Sequence, residues 1–529
     1  MKMIKRVGLL LGTALLAVAP AVMARNLVIL HSNDTHSQID PDASGRGGIL
    51  QRKAIVDSVR GTEKNVLLID AGDMVQGSLY FKFFKGDVEY PLFNMMDYDV
   101  RILGNHEFDN GLDELARHYK DVKGARLSAN YDFSNTPLKG MFDPYVIREI
   151  DGKKIGILAL NVDPESLISQ QNYKGLVFKD IIKTANETAA LLKKKKKCDL
   201  VIAVTHIGYE KESDKTTDVE LAQASRDIDI IIGGHSHTTL NPDDPKSLLV
   251  FVNNAVGRPV LITQTGKYGK VLGKIEIDLD NLKKSAPEKF TYSLIPITDR
   301  FAPEQLDTRM AAFIAPFREK VDSVNSRVIA YSMAPMSGDA RVGAYPNWLA
   351  DYALKTGHQA ADSLRNAGVS VPPVDMGFMN VGGIRQSMPQ GPVTEGLILA
   401  TFPFVNHMAL IKVKGRDIID ALQVALVKGG ECVSENVRVL YDDGKVADVI
   451  INDESIDPDK DYVVSTIDYI AEGNDDMRSW ANGSRIWTDD EEMIVKVMRY
   501  VNETSAKGLP ISADPSPRFL PIFKMQNSD

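Results

Sequence analysis

Five of the nine histidines in this 529-residue sequence directly follow short apolar runs, where acidic and amide side chains accompany them. The densest cluster is Gly104-Asn105-His106-Glu107-Phe108-Asp109, after the mostly apolar run Val100–Leu103. An amide, an imidazole and two carboxylates so close together suit a metal centre and an acid–base pair. Taken alone, this cluster is equally consistent with a strand-to-helix turn whose polar groups cap the backbone.

Further polar clusters offer partners for it, each set among small or turn-forming residues. They contain Asp34 and His36 in Asn33-Asp34-Thr35-His36, Asp73 after Gly72, His206 after Thr205, and His235 and His237 in Gly234-His235-Ser236-His237. Imidazole and oxygen ligands in this mixture favour zinc, manganese or cobalt over calcium. The set is too large for one tetrahedral ion and predicts two divalent metal ions.

Spacing indicates how the ligands would be shared. Alternate residues of an extended chain point the same way, so Asp34 and His36 would reach one ion. His235 and His237 would contribute to adjacent ions, and the Asp73 carboxylate would be able to bridge them. Two metals about 3.5–4 Å apart favour phosphoester hydrolysis, because they activate water and stabilise the phosphoryl charge.

His106 is better placed as an acid or transition-state stabiliser than as a ligand, because Asn105 before it would occupy the metal. Asp109 would orient the His106 imidazole and favour its protonated form. Glu107 and Phe108 receive no separate chemical role.

The elements that must position these groups alternate from Asn26 to about Leu279 as apolar run, polar cluster and helix-spaced segment. This alternation predicts an α/β domain in which buried strands deliver polar residues at their ends. The predicted strands are Leu27–Leu30, Val66–Ile69, Val100–Leu103, Ile155–Leu160, Leu200–Val204, Ile228–Ile232, Pro259–Thr263 and Val271–Ile277.

A linking helix over about Pro303–Val324 is predicted next, because apolar residues there recur at helical spacing. A second α/β or α+β domain follows from about Ser326. Its predicted strands are Met376–Val381, Met408–Val413, Val437–Tyr441, Val446–Ile451 and Tyr462–Ile467.

The first 24 residues predict a secretory signal peptide, with three early positive charges, the apolar stretch Val7–Val18 and small residues ending at Ala24. We therefore expect an exported protein, periplasmic or secreted, with a retained N-terminal anchor as the alternative. No later run of about 20 apolar residues occurs, so no transmembrane segment is expected in the mature chain.

The formal net charge of −9 disfavours binding to a nucleic-acid polymer. The two cysteines, Cys198 and Cys432, do not indicate a disulfide framework, and Cys198 beside an apolar run predicts a buried thiol. The oligomeric state is left open.

The ordered motifs resemble those of the calcineurin-like metallophosphoesterases, and nearly the whole mature chain is similar to the secreted 5′-nucleotidase family, which includes bacterial UDP-sugar hydrolases. The resemblance implies a four-layer αββα metallophosphoesterase domain (25–299), a linker helix (300–325) and a mixed α/β substrate-binding domain (326–529). It also implies one metal on Asp34, His36, Asp73 and His237, a second on Asp73, Asn105, His206 and His235, and His106 and Asp109 as the catalytic pair.

The second domain carries the matching motifs Asn380-Val381-Gly382-Gly383-Ile384-Arg385 and Pro403-Phe404-Val405-Asn406. An arginine after a glycine-rich turn is able to donate two hydrogen bonds to a phosphate, although a solvated surface arginine is the alternative. The resemblance implies a nucleotide site made of Asn380, Gly383, Arg385, Phe404, Asn406, Tyr469 and Asp475. In it, Phe404 and Tyr469 would stack on the base, while Asn406 and Asp475 would form hydrogen bonds with it.

This domain also departs from the family pattern. Tyr469 replaces the usual phenylalanine, and Ala471-Glu472-Gly473-Asn474-Asp475-Asp476 replaces a double-glycine turn. The charges of Glu472 and Asp476 would weaken phosphate-rich ligands unless these side chains point away. Family members have one or two further arginines in this region. Arg341 lies nearby, but its spacing does not align securely with them.

The predicted activity is hydrolysis of nucleoside 5′-monophosphates to nucleoside and phosphate. The same centre would also serve a UDP-sugar pyrophosphatase, or a 2′,3′-cyclic phosphodiesterase with 3′-nucleotidase activity, and the pocket motifs do not separate these substrates. An alternative of another class is a non-catalytic nucleotide-binding or host-interaction protein, against which the complete ligand set argues.

Overall fold

The computed structural model describes residues 26–165, 167–209, 215–244, 250–283 and 289–522. The segment predicted as a signal peptide, residues 1–24, lies outside these ranges. Across the ranges described, no helix combines the length and apolar character needed to cross a membrane.

Two six-stranded sheets dominate the first half of the chain. In spatial order, one contains Phe290–Pro296, Val271–Asp278, Asn26–Ser32, Val66–Asp70, Val100–Arg101 and Ala125–Arg126, and the other contains Phe251–Asn253, Pro259–Thr263, Ile230–Ile232, Leu200–His206, Lys153–Asn161 and Tyr145–Ile150. A short pair, Tyr131–Asp132 with Val177–Phe178, is separate from both. All eight strands predicted in this region are confirmed.

Alternate residues of strand Asn26–Ser32 show how the layers stack, because neighbouring side chains point to opposite faces of a sheet. Leu27 and Ile29 belong to the core between the two sheets, whereas Val28 and Leu30 pack with the helices on the outer face. Other helices cover the second sheet. The implied four-layer αββα arrangement is therefore observed.

Within the described ranges, helices pack on the outer faces of these sheets and also join the two halves of the chain. They are Ile49–Thr62, Leu79–Phe84, Glu89–Met95, Gly111–Tyr119, Ile181–Ala190, Asp218–Ala224, Thr308–Asn325, Ala344–Asn366, Glu395–Thr401, Gly415–Val427, Asp468–Ala471 and Met493–Ala506. The predicted linking helix is present, but it begins at Thr308 because the Asp307 side chain accepts hydrogen bonds from the backbone amides of Arg309 and Met310, at 2.8 and 3.0 Å.

The second half of the chain forms three further sheets within the described ranges. A five-stranded sheet contains Cys432–Val433, Met376–Met379, Asp461–Ile467, His407–Lys414 and Ser484–Glu492, a four-stranded sheet contains Glu454–Ser455, Lys445–Ile451, Val437–Asp442 and Phe519–Pro521, and Val328–Ser332 pairs with Gly391–Thr394. The five strands predicted here are confirmed, and both cysteines are buried free thiols. The predicted boundaries at residues 299 and 325 stay predictions.

Candidate active site

The predicted metal ligands converge where the carboxyl ends of parallel strands from both sheets meet. Strands Asn26–Ser32, Val66–Asp70 and Val100–Arg101 are parallel neighbours in one sheet, as Leu200–His206 and Ile230–Ile232 are in the other. Strand ends of this kind are the usual position of sites in α/β proteins. The tertiary structure thus brings together segments about two hundred residues apart in the chain.

One group of candidate ligands surrounds Asp34. Its Oδ1 lies 3.8 Å from Nε2 of His36 and 3.5 Å from Nε2 of His237, and these two nitrogens are 3.0 Å apart. Burial, and then the charge of Arg385, hold the pKa of both imidazoles well below the ordinary value. Neutral ring nitrogens turned toward one carboxylate fit a divalent cation.

His206 anchors the second group. Its Nε2 lies 3.1 Å from Oδ2 of Asp73 and 3.9 Å from Oδ1 of Asp34, while its Nδ1 donates to the carbonyl of Ala71 at 2.7 Å. That bond fixes the ring so that Nε2 faces the acids. Burial lowers the pKa of His206, but Asp73 and Asp34 outweigh it and raise the pKa to about 10. A metal cation would satisfy the same carboxylates in place of that proton.

His235 and Asn105 complete this second group. Nδ1 of His235 lies 2.9 Å from Oδ1 of Asn105, and ligand atoms of Asp73, His206 and His235 all lie within 4.8 Å of one another. Burial, followed by the charge of His206, lowers the pKa of His235 to about 3, so its ring is neutral. Asp73 links this group to the first, because ligand atoms of Asp73, His36 and His106 also lie within 4.8 Å of one another.

The backbone at the centre is strained. Five of the seven candidate ligands adopt positive φ angles, namely Asp34 (49°), His36 (46°), Asp73 (54°), His235 (79°) and His237 (56°). Such conformations are uncommon for residues other than glycine, cost of order 1–3 kcal/mol each and cluster at functional sites. Close packing adds a second constraint, because any side chain at Gly104 would collide with the carboxylate of Asp73.

His106 and Asp109 form a hydrogen-bonded pair beside these ligands. Nδ1 of His106 donates to Oδ2 of Asp109 at 3.0 Å, and the His106 ring lies 5.3 Å from that of His36. Burial lowers the pKa of His106, but the charges of Asp109 and Asp73 and the hydrogen bond outweigh it and raise the pKa above its ordinary value. The geometry therefore favours a protonated imidazole as a hydrogen-bond donor.

The second half of the chain covers this centre. The ring of Phe404 stacks on His106 with 5.9 Å between the ring centres, and the guanidinium of Arg385 lies 5.9 Å from the centre of the Phe404 ring. Two buried nitrogens of Arg385, Nε and one terminal nitrogen, have no hydrogen-bond partner among the described residues. An anion such as a phosphate suits these two donors.

Four of the predicted substrate residues line one small cavity, namely Asn380, Gly383, Phe404 and Asn406. Beside it, Nδ2 of Asn380 donates to Asp475 at 2.6 Å, and the Tyr469 hydroxyl donates to the same carboxylate at 3.3 Å. Within the described ranges, no ring contact joins Phe404 to Tyr469 and no hydrogen bond joins Asn406 to Asp475. The structure thus brings these predicted pocket residues to one region.

The acidic residues Glu472 and Asp476, which lie in the segment that departs from the family pattern, are paired or exposed to solvent. Asp476 lies 3.5 Å from Nζ of Lys428, and Glu472 is exposed. Arg341 is paired at 2.8 Å with the buried carboxylate of Glu431, which also accepts the backbone amide of Val381 at 2.5 Å. Arg341 therefore supports the glycine-rich turn through Glu431.

Two polar residues that received no role from the sequence hold the ligand loops. Asn33 donates to Asp34 at 2.6 Å and accepts the backbone amide of Thr265 at 2.9 Å. Gln264 donates to the carbonyl of Gly234 at 2.9 Å and accepts the backbone amide of Thr238 at 2.6 Å, which brackets His235 and His237. Gln264 directly follows the predicted strand Pro259–Thr263, and this strand-end position is the feature of the sequence that could have indicated its role.

Comparison with known proteins agrees with this geometry. Residues 27–239 match the model of the calcineurin-like phosphoesterase family, and residues 328–482 match that of the 5′-nucleotidase C-terminal domain. The chain belongs to the calcineurin-like phosphoesterases that carry a 5′-nucleotidase C-terminal domain. This phosphoesterase is therefore a metal-dependent hydrolase, and its buried groups of imidazoles and carboxylates suit a dinuclear centre.

Relatives of this phosphoesterase include the 5′-nucleotidase of Vibrio cholerae, which is 29% identical over 486 residues covering 85% of each chain. The trifunctional nucleotide phosphoesterase protein of Bacillus subtilis is 28% identical over 438 residues, which make up 76% of this chain but only 28% of that longer protein. The crystal structure of a 5′-nucleotidase precursor from Thermus thermophilus superposes with a TM-score of 0.78 at 26% identity, covering 94% of this chain and all of that one.

Proposed function

We propose that this phosphoesterase hydrolyses nucleoside 5′-monophosphates to nucleoside and inorganic phosphate. The observation that carries the proposal is the stacking of Phe404 on His106 with the Arg385 guanidinium over the Phe404 ring, which puts an aromatic ring and unsatisfied guanidinium nitrogens next to the candidate metal centre. A flat base and a phosphate are the two groups that this pair of side chains would recognise. The activities named for the relatives support the same class of substrate.

We assign the ligands as two overlapping sets, each able to hold one divalent ion such as zinc, manganese or cobalt. The first set is Asp34, His36, Asp73 and His237, and the second is Asp73, Asn105, His206 and His235. When bound, two such ions supply Lewis acidity toward the phosphoryl oxygens and lower the pKa of water.

The side chains of the protein orient the substrate and stabilise its phosphoryl group. A water oxygen forms a bond to phosphorus as the bond between phosphorus and the ester oxygen breaks; the water gives up one proton and the departing oxygen takes up one, so the products are the nucleoside and hydrogen phosphate. His106, held protonated by Asp109, donates a hydrogen bond to the phosphoryl group as charge develops on it. Arg385 binds a phosphate oxygen, while Phe404 and Tyr469 hold the base.

A substrate panel tests the proposal. With manganese, zinc or cobalt added, we expect phosphate release to be fastest from nucleoside 5′-monophosphates among 5′-, 3′- and 2′,3′-cyclic nucleotides and UDP-glucose. Faster cleavage of UDP-glucose or of cyclic nucleotides would replace the proposed substrate with that one. Nucleotide binding by calorimetry with no turnover of any substrate would instead favour a non-catalytic binding protein.

Metal removal should abolish the activity. Dialysis against a chelator is expected to reduce phosphate release from AMP to background, since it removes the Lewis acids that would polarise the phosphoryl group and activate water. Adding back manganese, zinc or cobalt singly should restore it and rank the metals. Circular dichroism before and after dialysis checks that the fold survives; full activity in a metal-free, folded sample would refute the metal requirement.

Phe404→Ala is expected to raise the KM for AMP about tenfold or more with a small change in kcat, because base stacking contributes roughly 1–3 kcal/mol. Val405→Ala is the matched control, since Val405 is the adjacent residue and its side chain is exposed. Steady-state kinetics on both variants make the comparison. An unchanged KM in Phe404→Ala would remove Phe404 from the base site.

We also propose that residues 1–24 direct export to the periplasm or medium and are then removed. The charged start, the short apolar stretch and the small residues before Arg25 support this. Mass spectrometry of the N-terminus after expression in a secreting host tests it, and retention of Met1 in exported protein would favour an anchor.

A further inference from the structure

Glu107 is a buried carboxylate at the centre that belongs to neither proposed ligand set. It is 5% exposed and lies in the single turn His106–Phe108. Its Oε2 accepts the backbone amides of Asp73 at 3.0 Å and Gly104 at 2.5 Å, and its Oε1 accepts that of Met74 at 2.9 Å. One side chain thus satisfies three backbone donors.

Those donors come from two different loops. Asp73 and Met74 follow strand Val66–Asp70, whereas Gly104 follows strand Val100–Arg101 and precedes Asn105. In the other direction, Oδ1 of Asp73 accepts the backbone amide of His106 at 2.9 Å. Each loop therefore contributes a carboxylate that accepts hydrogen bonds from backbone amides of the other loop. The close contact between Gly104 and Asp73 further restricts movement of one loop against the other.

We propose that Glu107 is a positioning residue that sets the spacing between Asp73 and Asn105 and thereby the affinity of the centre for its ions. The inference rests on the ligand sets proposed above. Asp73 holds a left-handed backbone conformation, with φ at 54°, which relaxes unless its neighbours constrain it. Because Asp73 is shared by both sets, a shift of its loop would weaken both ions together.

The test is a calorimetric titration of metal-free protein with Mn²⁺, comparing wild type with Glu107→Gln. Glutamine preserves the size of the side chain but offers only one acceptor oxygen, so it cannot serve all three amides. We expect the dissociation constant to rise by about 10- to 100-fold, the usual effect of removing a group that orients a metal ligand.

Glu431→Gln is the matched control. Glu431 is likewise a buried carboxylate that accepts a backbone amide, but it lies in the second half of the chain. We expect both variants to lose thermal stability and only Glu107→Gln to lose Mn²⁺ affinity. Equal stability losses with wild-type Mn²⁺ affinity in Glu107→Gln would overturn the inference and leave Glu107 a purely structural residue.

Glu107→Asp serves if the glutamine variant fails to fold, because it keeps both oxygens and the charge on a shorter side chain. Weakened Mn²⁺ binding in folded Glu107→Asp supports the inference, and wild-type binding overturns it. The readout does not involve nucleotides. Wild-type protein that binds Mn²⁺ but hydrolyses no nucleotide would therefore refute the proposed function without touching this inference.

Discussion

His106→Ala is expected to lower kcat for AMP by about 10²- to 10⁴-fold while leaving the metal content close to that of wild type. The His106 ring bonds to Asp109 and stacks on Phe404, so it faces the substrate side of the centre, and Asn105 supplies the oxygen directed at His235. Removing the imidazole therefore removes a donor to the phosphoryl group without removing a ligand. Turnover and metal analysis on the same preparation measure both quantities.

His118→Ala provides the comparison for this prediction. His118 is also largely buried and lies twelve residues further along, where it stacks on Tyr90 with ring centres 4.2 Å apart. It contacts none of the candidate ligands among the described residues. We expect a stability loss with kcat largely retained. If His106→Ala lost metal as well as turnover, His106 would have to be treated as a ligand.

Asp73→Ala should have the larger effect, namely loss of bound metal and of all phosphate release. Asp73 lies 3.1 Å from Nε2 of His206, and its carboxylate groups with His206 and His235 on one side and with His36 and His106 on the other. Removing it leaves the neighbouring imidazoles without the carboxylate that the two ions would share. Metal content after dialysis is the primary measurement, with phosphate release from AMP as the second.

Asp70→Asn separates this effect from the general cost of losing a buried acid. Asp70 lies three residues earlier and accepts a hydrogen bond from Ser32 at 2.7 Å, outside the candidate metal groups. We expect Asp70→Asn to lose stability and keep its metal. Metal retention in Asp73→Ala would contradict the shared role of Asp73, and equal metal loss in both variants would make the effect one of folding.

The strands and the candidate ligands were predictable because both are local signals. A buried strand appears in sequence as a short apolar run, and its end is marked where polar and glycine residues begin. The five histidines at such ends, from His36 to His237, were therefore identifiable one segment at a time, and the motif order named the family. The helix after Asp307 was also predictable from a local pattern, the helical spacing of its apolar residues. It begins at Thr308, five residues after the predicted start at Pro303.

What only the tertiary structure decided depends on contacts between distant segments. No local pattern joins Glu107 to the amides of Asp73 and Met74, or directs Arg341 to Glu431. The sequence also did not show that Phe404 lies against His106, a contact between residues almost three hundred positions apart. Side-chain periodicity reports which face of an element is buried, whereas such pairings are fixed only when the sheets pack and the two halves of the chain meet.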